Sequence, residues 1–216
     1  MLIYIAFFVV VGVLLLIGLL MGTGPKPGDV LLEDDFSEPT SRWPAGATEG
    51  GFTSFADGAY RVGVDPEGSL SAVTDLESDR PDVRVAVRVV RMPAAGDVLV
   101  GLICRVASDN RFDELVITSS GRWAILRRPD REVLGEGSFD ASLLGSGPIR
   151  LGAECAGGIP KRDSRLEISV NGTVVGVAHD RESRSPTAPG GVGMVVENGS
   201  GDPADVRFDD FRVTAA

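Results

Sequence analysis

The sequence contains few of the residues that most metal and redox sites require. Its 216 residues include two cysteines and one histidine, and aromatic residues make up only 6% of the chain. A zinc site needs more Cys or His ligands than these, and a redox-active dithiol needs a C-x-x-C pair that the chain lacks. We therefore expect neither kind of site.

Basic residues are also in the minority. The chain has 21 Lys and Arg against 31 Asp and Glu, a formal net charge of −10. Nucleic acids and anionic lipid surfaces bind proteins through clustered positive charge, so neither is expected as a partner. The hydrophobic content of 43% is that of a globular protein, which excludes intrinsic disorder.

One long apolar run is present, at the N-terminus. Residues 2–21 read LIYIAFFVVVGVLLLIGLLM without a charged side chain. As a helix this run would be about 30 Å long, which matches the hydrocarbon core of a bilayer. A cleaved signal peptide would have a basic start and a shorter apolar stretch. We expect residues 1–21 to form a single-pass transmembrane anchor, and residues 22–29 a short Gly/Pro linker.

Residues 30–216 show the period-2 alternation of β-strands. In residues 82–90, for example, four valines share one face and two arginines the other. The same alternation occurs in residues 98–106, 148–156 and 165–170. Hairpin dipeptides, Asp57-Gly58 and Asn171-Gly172, separate other apolar stretches. These patterns predict at least eleven strands, no helix after residue 30, and an all-β antiparallel sandwich of two sheets.

Several framework motifs resemble a known superfamily. They are DDFSEPTSRWP (34–44), LVGLICRVASDNRFDELVITSSGRWAI (99–125), IRLGAEC (149–155), LEISVNGTVVG (166–176) and VRFDDFRV (206–213). Together they resemble the concanavalin A-like lectin/glucanase superfamily, and more narrowly its laminin-G-like branch. The resemblance covers nearly all of residues 30–216. It implies a jelly-roll sandwich whose first and last strands lie together, and it implies recognition of a glycan or a protein.

Cys104 and Cys155 both lie on the apolar face of a predicted strand. They could be two buried thiols, but their even number and the predicted export of the domain favour a disulfide. In the chain-entropy model such a bond would stabilise the fold by about 4 kcal/mol. The disulfide places the domain outside the cytoplasm, whereas Lys26 and Arg42, the basic residues nearest the apolar run, weakly favour the cytoplasmic side.

Catalysis is not expected. Glu33, Asp35 and Glu38 formally match the carboxylate pattern of laminarinase-type glucanases, which use two carboxylates for glycoside hydrolysis. However, that pattern lies mid-chain in the family, and here it occupies the first strand. A glycan-active hydrolase is therefore the alternative to a binding module. His179 is interpreted as a surface histidine, because no serine or cysteine in a nucleophile motif accompanies it.

The last predicted strand contains a phase slip. Phe208 and Phe211 can share the buried face only if a β-bulge lies at Asp209-Asp210. If the first and last strands pair, Asp34 and Asp35 would approach these two aspartates. Four such carboxylates could bind Ca²⁺, or they could simply be solvated. Calcium is the only cofactor that the sequence suggests.

Among the aromatic residues, Trp43 is the best candidate for an exposed ligand contact, because it lies in a loop with Pro and Gly. Trp123 follows a turn and shares its strand face with Ile125, so we expect it in the core. Arg84, Arg88 and Arg91 are interpreted as ordinary surface ion pairs. The sequence thus predicts a membrane-anchored, extracytoplasmic, non-catalytic module that binds a glycan or a protein.

Overall fold

The computed structural model describes residues 25–76, 82–93, 97–107, 111–158, 161–180 and 190–216. The predicted anchor, residues 1–21, and the first part of the predicted linker lie outside the described residues. No helix within the described ranges is long and apolar enough to cross a membrane. The helical structure described there is a 3₁₀ turn at Ala141–Leu144.

Fifteen strands are formed by the described residues. They are β1 (Val30–Asp34), β2 (Gly46–Thr48), β3 (Gly51–Ala56), β4 (Ala59–Val64), β5 (Ser69–Thr74), β6 (Val83–Arg91), β7 (Val98–Val106), β8 (Phe112–Thr118), β9 (Arg122–Arg128), β10 (Glu132–Ser138), β11 (Ile149–Gly158), β12 (Lys161–Val170), β13 (Thr173–Asp180), β14 (Gly191–Asn198) and β15 (Ala204–Ala215). The predicted all-β class is confirmed.

The strands form two antiparallel sheets that pack face to face. The larger sheet, as far as it is described, has the order β13-β12-β11-β6-β15-β4-β3-β2, with β1 also paired to β15. The smaller sheet has the order β10-β9-β8-β7-β14-β5. Valine, leucine and isoleucine side chains from the facing surfaces fill the space between the sheets, and Val87, Leu102 and Ile168 are fully buried there.

The predicted hairpins form at the predicted dipeptides. Asp57 and Gly58 have φ values of 54° and 69°, and Asn171 and Gly172 have values of 51° and 82°. Two consecutive residues with positive φ characterise the two-residue turn whose twist matches the strands on either side. These turns connect β3 to β4 and β12 to β13.

A disulfide joins Cys104 to Cys155 across the sandwich, with 6.6 Å between their Cα atoms. Cys104 lies in β7 of the smaller sheet and Cys155 in β11 of the larger one. The two cysteine strands face each other from different sheets. Beside the disulfide, Arg127 of β9 binds Asp113 of β8 at 3.0 Å and Asp180 of β13 at 2.9 Å. Covalent and ionic links therefore hold the two sheets together at this end.

The first and last strands pair as the resemblance implied. Asp34 of β1 lies opposite Phe211 of β15. The pairing of β15 with β6 shifts between Asp209 and Arg212, and Asp210 has a φ of 50°. This irregularity is the predicted β-bulge, and it keeps Phe211 buried like Phe208.

Candidate functional site

The smaller sheet carries a second apolar cluster on the face that points away from the core. Ile103, Val116, Leu126 and Val195 form this cluster, and their exposed fractions lie between 0% and 4%. Strand alternation explains their position, because their chain neighbours Leu102, Leu115, Ile125 and Val196 belong to the main core. We call these four outward-facing side chains the floor.

Charged side chains share this outer face with the floor. Glu114 lies two residues before Val116 on β8, Arg128 two after Leu126 on β9, and Glu197 two after Val195 on β14. Because side chains two residues apart in a strand point to the same side, all three project to the face of the floor.

These charged groups form one connected network. The Arg128 Nε donates to Glu114 Oε2 at 2.7 Å, and the guanidinium of Arg128 also contacts Glu197. Arg131, in the turn after β9, binds the other oxygen of Glu197 at 2.7 Å. Each carboxylate is therefore held by at least one guanidinium.

A groove of about 580 Å³ runs across this face. Its lining comes from β5, β7, β8, β9, β10 and β14 and from the turns beside them. The charged residues among those lining it are Glu67, Asp97, Arg122, Arg128, Arg131, Glu136 and Glu197. The lining also includes smaller or apolar side chains, among them Leu99, Thr118, Ala124 and Leu126. The volume falls within the range of sites that hold small molecules or short oligomers.

Burial changes the pKa of the Glu114 carboxyl group. Its side chain is almost completely removed from water, and this desolvation raises the pKa of Glu114 above its usual range. Arg128 opposes the shift through its hydrogen bond and its charge, and Arg131 opposes it through its charge alone. Arg128 thus favours the ionised form of Glu114, and burial disfavours it.

The predicted exposure of Trp43 is wrong. The residue is 2% exposed, and its Nε1 donates to Asp34 Oδ2 at 3.0 Å. Its ring packs against Phe36, Tyr60 and Phe211, with centroids 5.6, 5.9 and 4.9 Å away. Trp43 therefore closes one part of the core and offers no surface to a ligand.

The four aspartates predicted for calcium lie near the seam between β1 and β15, where each has a protein partner. Asp34 accepts from the Trp43 indole and Asp35 from the Ser37 amide, while Arg88 contacts both Asp209 and Asp210. In the described part of the chain, no group of three or more His, Cys, Asp or Glu side chains could hold a metal ion. Because Arg88 already supplies positive charge at this seam, we expect calcium to bind these aspartates only when Arg88 is removed.

The carboxylates of the hydrolase alternative do not reach the groove. Glu33 is exposed on β1 and binds Arg212 at 3.3 Å, while Asp35 and Glu38 are exposed in the loop that follows. All three belong to the edge of the larger sheet, whereas the groove lies on the smaller one. The arginines interpreted as surface pairs do have acidic partners: Glu154 for Arg84, Asp209 and Asp210 for Arg88, and Asp205 for Arg91.

The charged residues of the groove were not among those that the sequence patterns singled out, whereas Trp123, which also lines the groove, was expected in the core. A signal was available, since Asp113-Glu114 and Arg127-Arg128 are complementary charged pairs inside otherwise apolar strands joined by a turn. Trp123 is only partly buried but packs against the core as expected, beside Gly137 of β10 and Gly176 of β13. His179 is exposed, as predicted.

The fold is similar to that of several solved structures. A protein of unknown function with a galectin-like fold from Bacillus subtilis is 15% identical, with a TM-score of 0.62, over 88% of this chain and 97% of that one. The carbohydrate-binding module CBM66 from Bacillus subtilis is 16% identical, with a TM-score of 0.56, over 81% and 96%. A β-1,3-1,4-glucanase from a mouse hindgut metagenome is 13% identical, with a TM-score of 0.56, over 86% and 99%.

These similarities confirm the fold, an antiparallel sandwich of two β-sheets, whereas the concanavalin A-like superfamily and its laminin-G-like branch stay predictions. Larger proteins also match, and the chain spans 39% and 41% of the length of two of them. No protein-family model and no curated protein matches the sequence.

Proposed function

We propose that this chain is a membrane-anchored, extracytoplasmic, non-catalytic module that binds a glycan in the groove of the smaller sheet. The observation that carries the proposal is the groove itself, in which guanidinium and carboxylate groups lie beside the apolar side chains of Trp123, Leu126 and Val133. Sugars present hydroxyl groups on their rims and apolar C–H surface on their ring faces. Fixed charged groups can bond the hydroxyls, and the apolar side chains can pack against the ring.

The charge of the groove favours a neutral glycan over an acidic one. Four carboxylates, those of Glu67, Asp97, Glu136 and Glu197, line it against the three guanidinium groups of Arg122, Arg128 and Arg131. The net charge of the whole chain is also negative. Such a surface repels a polyanion and leaves a neutral oligosaccharide unaffected.

The network around Arg128 also supports a binding role over hydrolysis. Glycoside hydrolysis needs one carboxyl group as acid and a second as nucleophile or base. Glu114 and Glu197 are the buried carboxylates on the groove face, and guanidinium groups engage both. A hydrolase would need them free to exchange protons or attack the sugar. Hydrolysis of a glycan is the second candidate function, because a β-1,3-1,4-glucanase is among the similar structures.

Binding is tested by applying the full-length chain, in lipid nanodiscs, to an array of neutral and acidic polysaccharides that includes β-1,3-1,4-glucan. We expect retention on at least one neutral glycan. Arg122→Ala and Glu136→Ala, exposed substitutions in the groove, should weaken it about tenfold, whereas Arg84→Ala on the larger sheet should not. Retention only on a protein, or glycan binding unaffected by the groove substitutions, would contradict the proposal.

Location is tested separately. A disulfide that joins the two sheets suits an oxidising compartment, and residues 2–21 are long enough to span a bilayer. Protease added to intact spheroplasts should therefore remove the domain. Digestion that occurs only after lysis would place the domain in the cytoplasm.

A further inference from the structure

The burial of the floor needs an explanation, because an outer sheet face is usually solvated. The described strands form two sheets, and Ile103, Val116, Leu126 and Val195 lie on the side of the smaller sheet away from the larger one. Antiparallel sheets of this kind normally place polar side chains on that side. Partly buried apolar side chains pack against the floor, namely Val73, Leu99, Val106, Phe112 and Ala124. The charged side chains of the same face are the remaining candidates for its cover.

Arg128 has the position and the length to provide this cover. Its strand, β9, is separated from β14 by β8 and β7, a distance of about 14 Å at the usual strand spacing of about 4.8 Å. Arg128 nevertheless contacts Glu114 on β8 and Glu197 on β14. Its side chain and that of Glu197 together cross β7, the strand that carries Ile103.

The exposures of the three charged side chains give their order from the sheet outward. The side chain of Glu114 is 1% exposed, that of Glu197 is 6% exposed and that of Arg128 is 20% exposed. The guanidinium is thus the outermost group of the network, with its carboxylate partners beneath it. The aliphatic part of an arginine packs well on apolar side chains while its charged end stays near water.

We infer that Arg128 is a strap that conceals an apolar subsite formed by Ile103, Val116, Leu126 and Val195. The strap is fastened by ionic contacts to Glu114 and Glu197, with Arg131 holding the second oxygen of Glu197. Release of Arg128 from Glu197 exposes the floor to the ring face of a sugar and frees one oxygen of Glu197 for its hydroxyls. This last step rests on the proposed function, whereas the strap itself does not.

Hydroxyl-radical footprinting, read by mass spectrometry, tests the strap without any ligand. The full-length chain in nanodiscs is compared with Arg128→Ala and with Arg84→Ala, which removes an ion-paired arginine from the outer face of the larger sheet. We expect oxidation of Leu126 and Ile103 to rise at least fivefold in Arg128→Ala and to stay unchanged in Arg84→Ala. Leu151 and Ile168, buried between the sheets, report on folding and should stay protected in both.

An unchanged floor in a folded Arg128→Ala variant would overturn the inference, because other groups would then cover it. If Leu151 also becomes oxidised, the variant has unfolded, and Glu197→Gln replaces it. That substitution weakens one end of the strap and removes no bulk, so floor oxidation should rise about twofold. A floor that stays protected in Glu197→Gln would overturn the inference equally. Because no glycan is used, failure here is distinct from failure of glycan binding.

Discussion

Two adjacent charged pairs show how single residues divide between the faces of one sheet. Asp113 and Glu114 follow each other in β8, and Arg127 and Arg128 follow each other in β9. Asp113 binds Arg127 on the inner side, near the disulfide, whereas Glu114 binds Arg128, a groove residue, on the outer side. Successive side chains of a strand alternate, so one hairpin contributes both to the link between the sheets and to the groove.

Glu114 should titrate above the range of an ordinary glutamate. Desolvation raises its pKa, so in the window between the unfolded and native values the folded chain binds more protons than the unfolded chain. The contribution of Glu114 to stability therefore falls as pH rises through that window, and Glu114→Gln should remove this dependence. Carboxyl-carbon NMR shifts give the midpoint, and a value at or below that of exposed glutamates would contradict the burial described.

Trp43 should matter for stability and not for ligand contact. Trp43→Ala removes a buried indole from an aromatic cluster, and we expect a loss of about 3–5 kcal/mol. Trp43→Phe keeps most of the ring and loses mainly the hydrogen bond to Asp34, which should cost about 1 kcal/mol. Urea denaturation measures both, with exposed Arg42→Ala as the control. A cost below 1 kcal/mol for Trp43→Ala would show that the indole is not packed as described.

At the scale of elements, structures set by adjacent residues could be predicted from the sequence, whereas contacts between residues far apart in the chain could not. The hairpins at Asp57-Gly58 and Asn171-Gly172 could be read from the chain, because the turn geometry requires those residues locally. The contact of Trp43 with Phe211 joins a loop to the last strand, and no nearby pattern encodes it. The groove depends in the same way on β14 lying beside β7, a pairing of strands far apart in the sequence.

The edge where the two sheets meet depends on small residues around Trp123. A Cβ atom added to Gly176 would lie 2.4 Å from the Trp123 ring. Gly176→Ala should therefore cost about 1–3 kcal/mol by overpacking. Gly147→Ala, which has open space, should be close to neutral. In a Trp123→Ala background the cost of Gly176→Ala should disappear, and equal costs in both backgrounds would show that the ring does not occupy this slot.

The seam between β1 and β15 gives a prediction about calcium. Arg88 contacts Asp209 and Asp210, so it supplies the charge that a cation would otherwise provide. We expect thermal melts of the native chain in Ca²⁺ and in chelator to coincide, and Arg88→Ala to melt several degrees higher with Ca²⁺ than without it. A native chain that is itself stabilised by Ca²⁺ would restore the four-aspartate site.

At the scale of the whole molecule, the chain ends and the groove lie on different sheets. The larger sheet holds both described ends of the chain: Gly28 donates to Ala215 at 2.8 Å, and Ala215 donates to Asp29 at 2.9 Å. The smaller sheet carries the groove on its opposite, outward side. An anchor that joins the domain through residues 25–29 would therefore attach on the far side of the sandwich from the groove. This separation suits a tethered module whose binding face must remain accessible.

Methyl NMR of the full-length chain in nanodiscs, titrated with β-1,3-1,4-glucan oligosaccharides and a panel of other neutral oligosaccharides, tests the central claim most directly. Binding in the groove predicts that the methyl resonances of Leu99, Leu126 and Val133, which line it, shift with at least one sugar, while those of Ile168 and Val87 between the sheets stay in place. Shifts confined to the larger sheet, or no shift with any sugar of the panel, would contradict a glycan site in this groove.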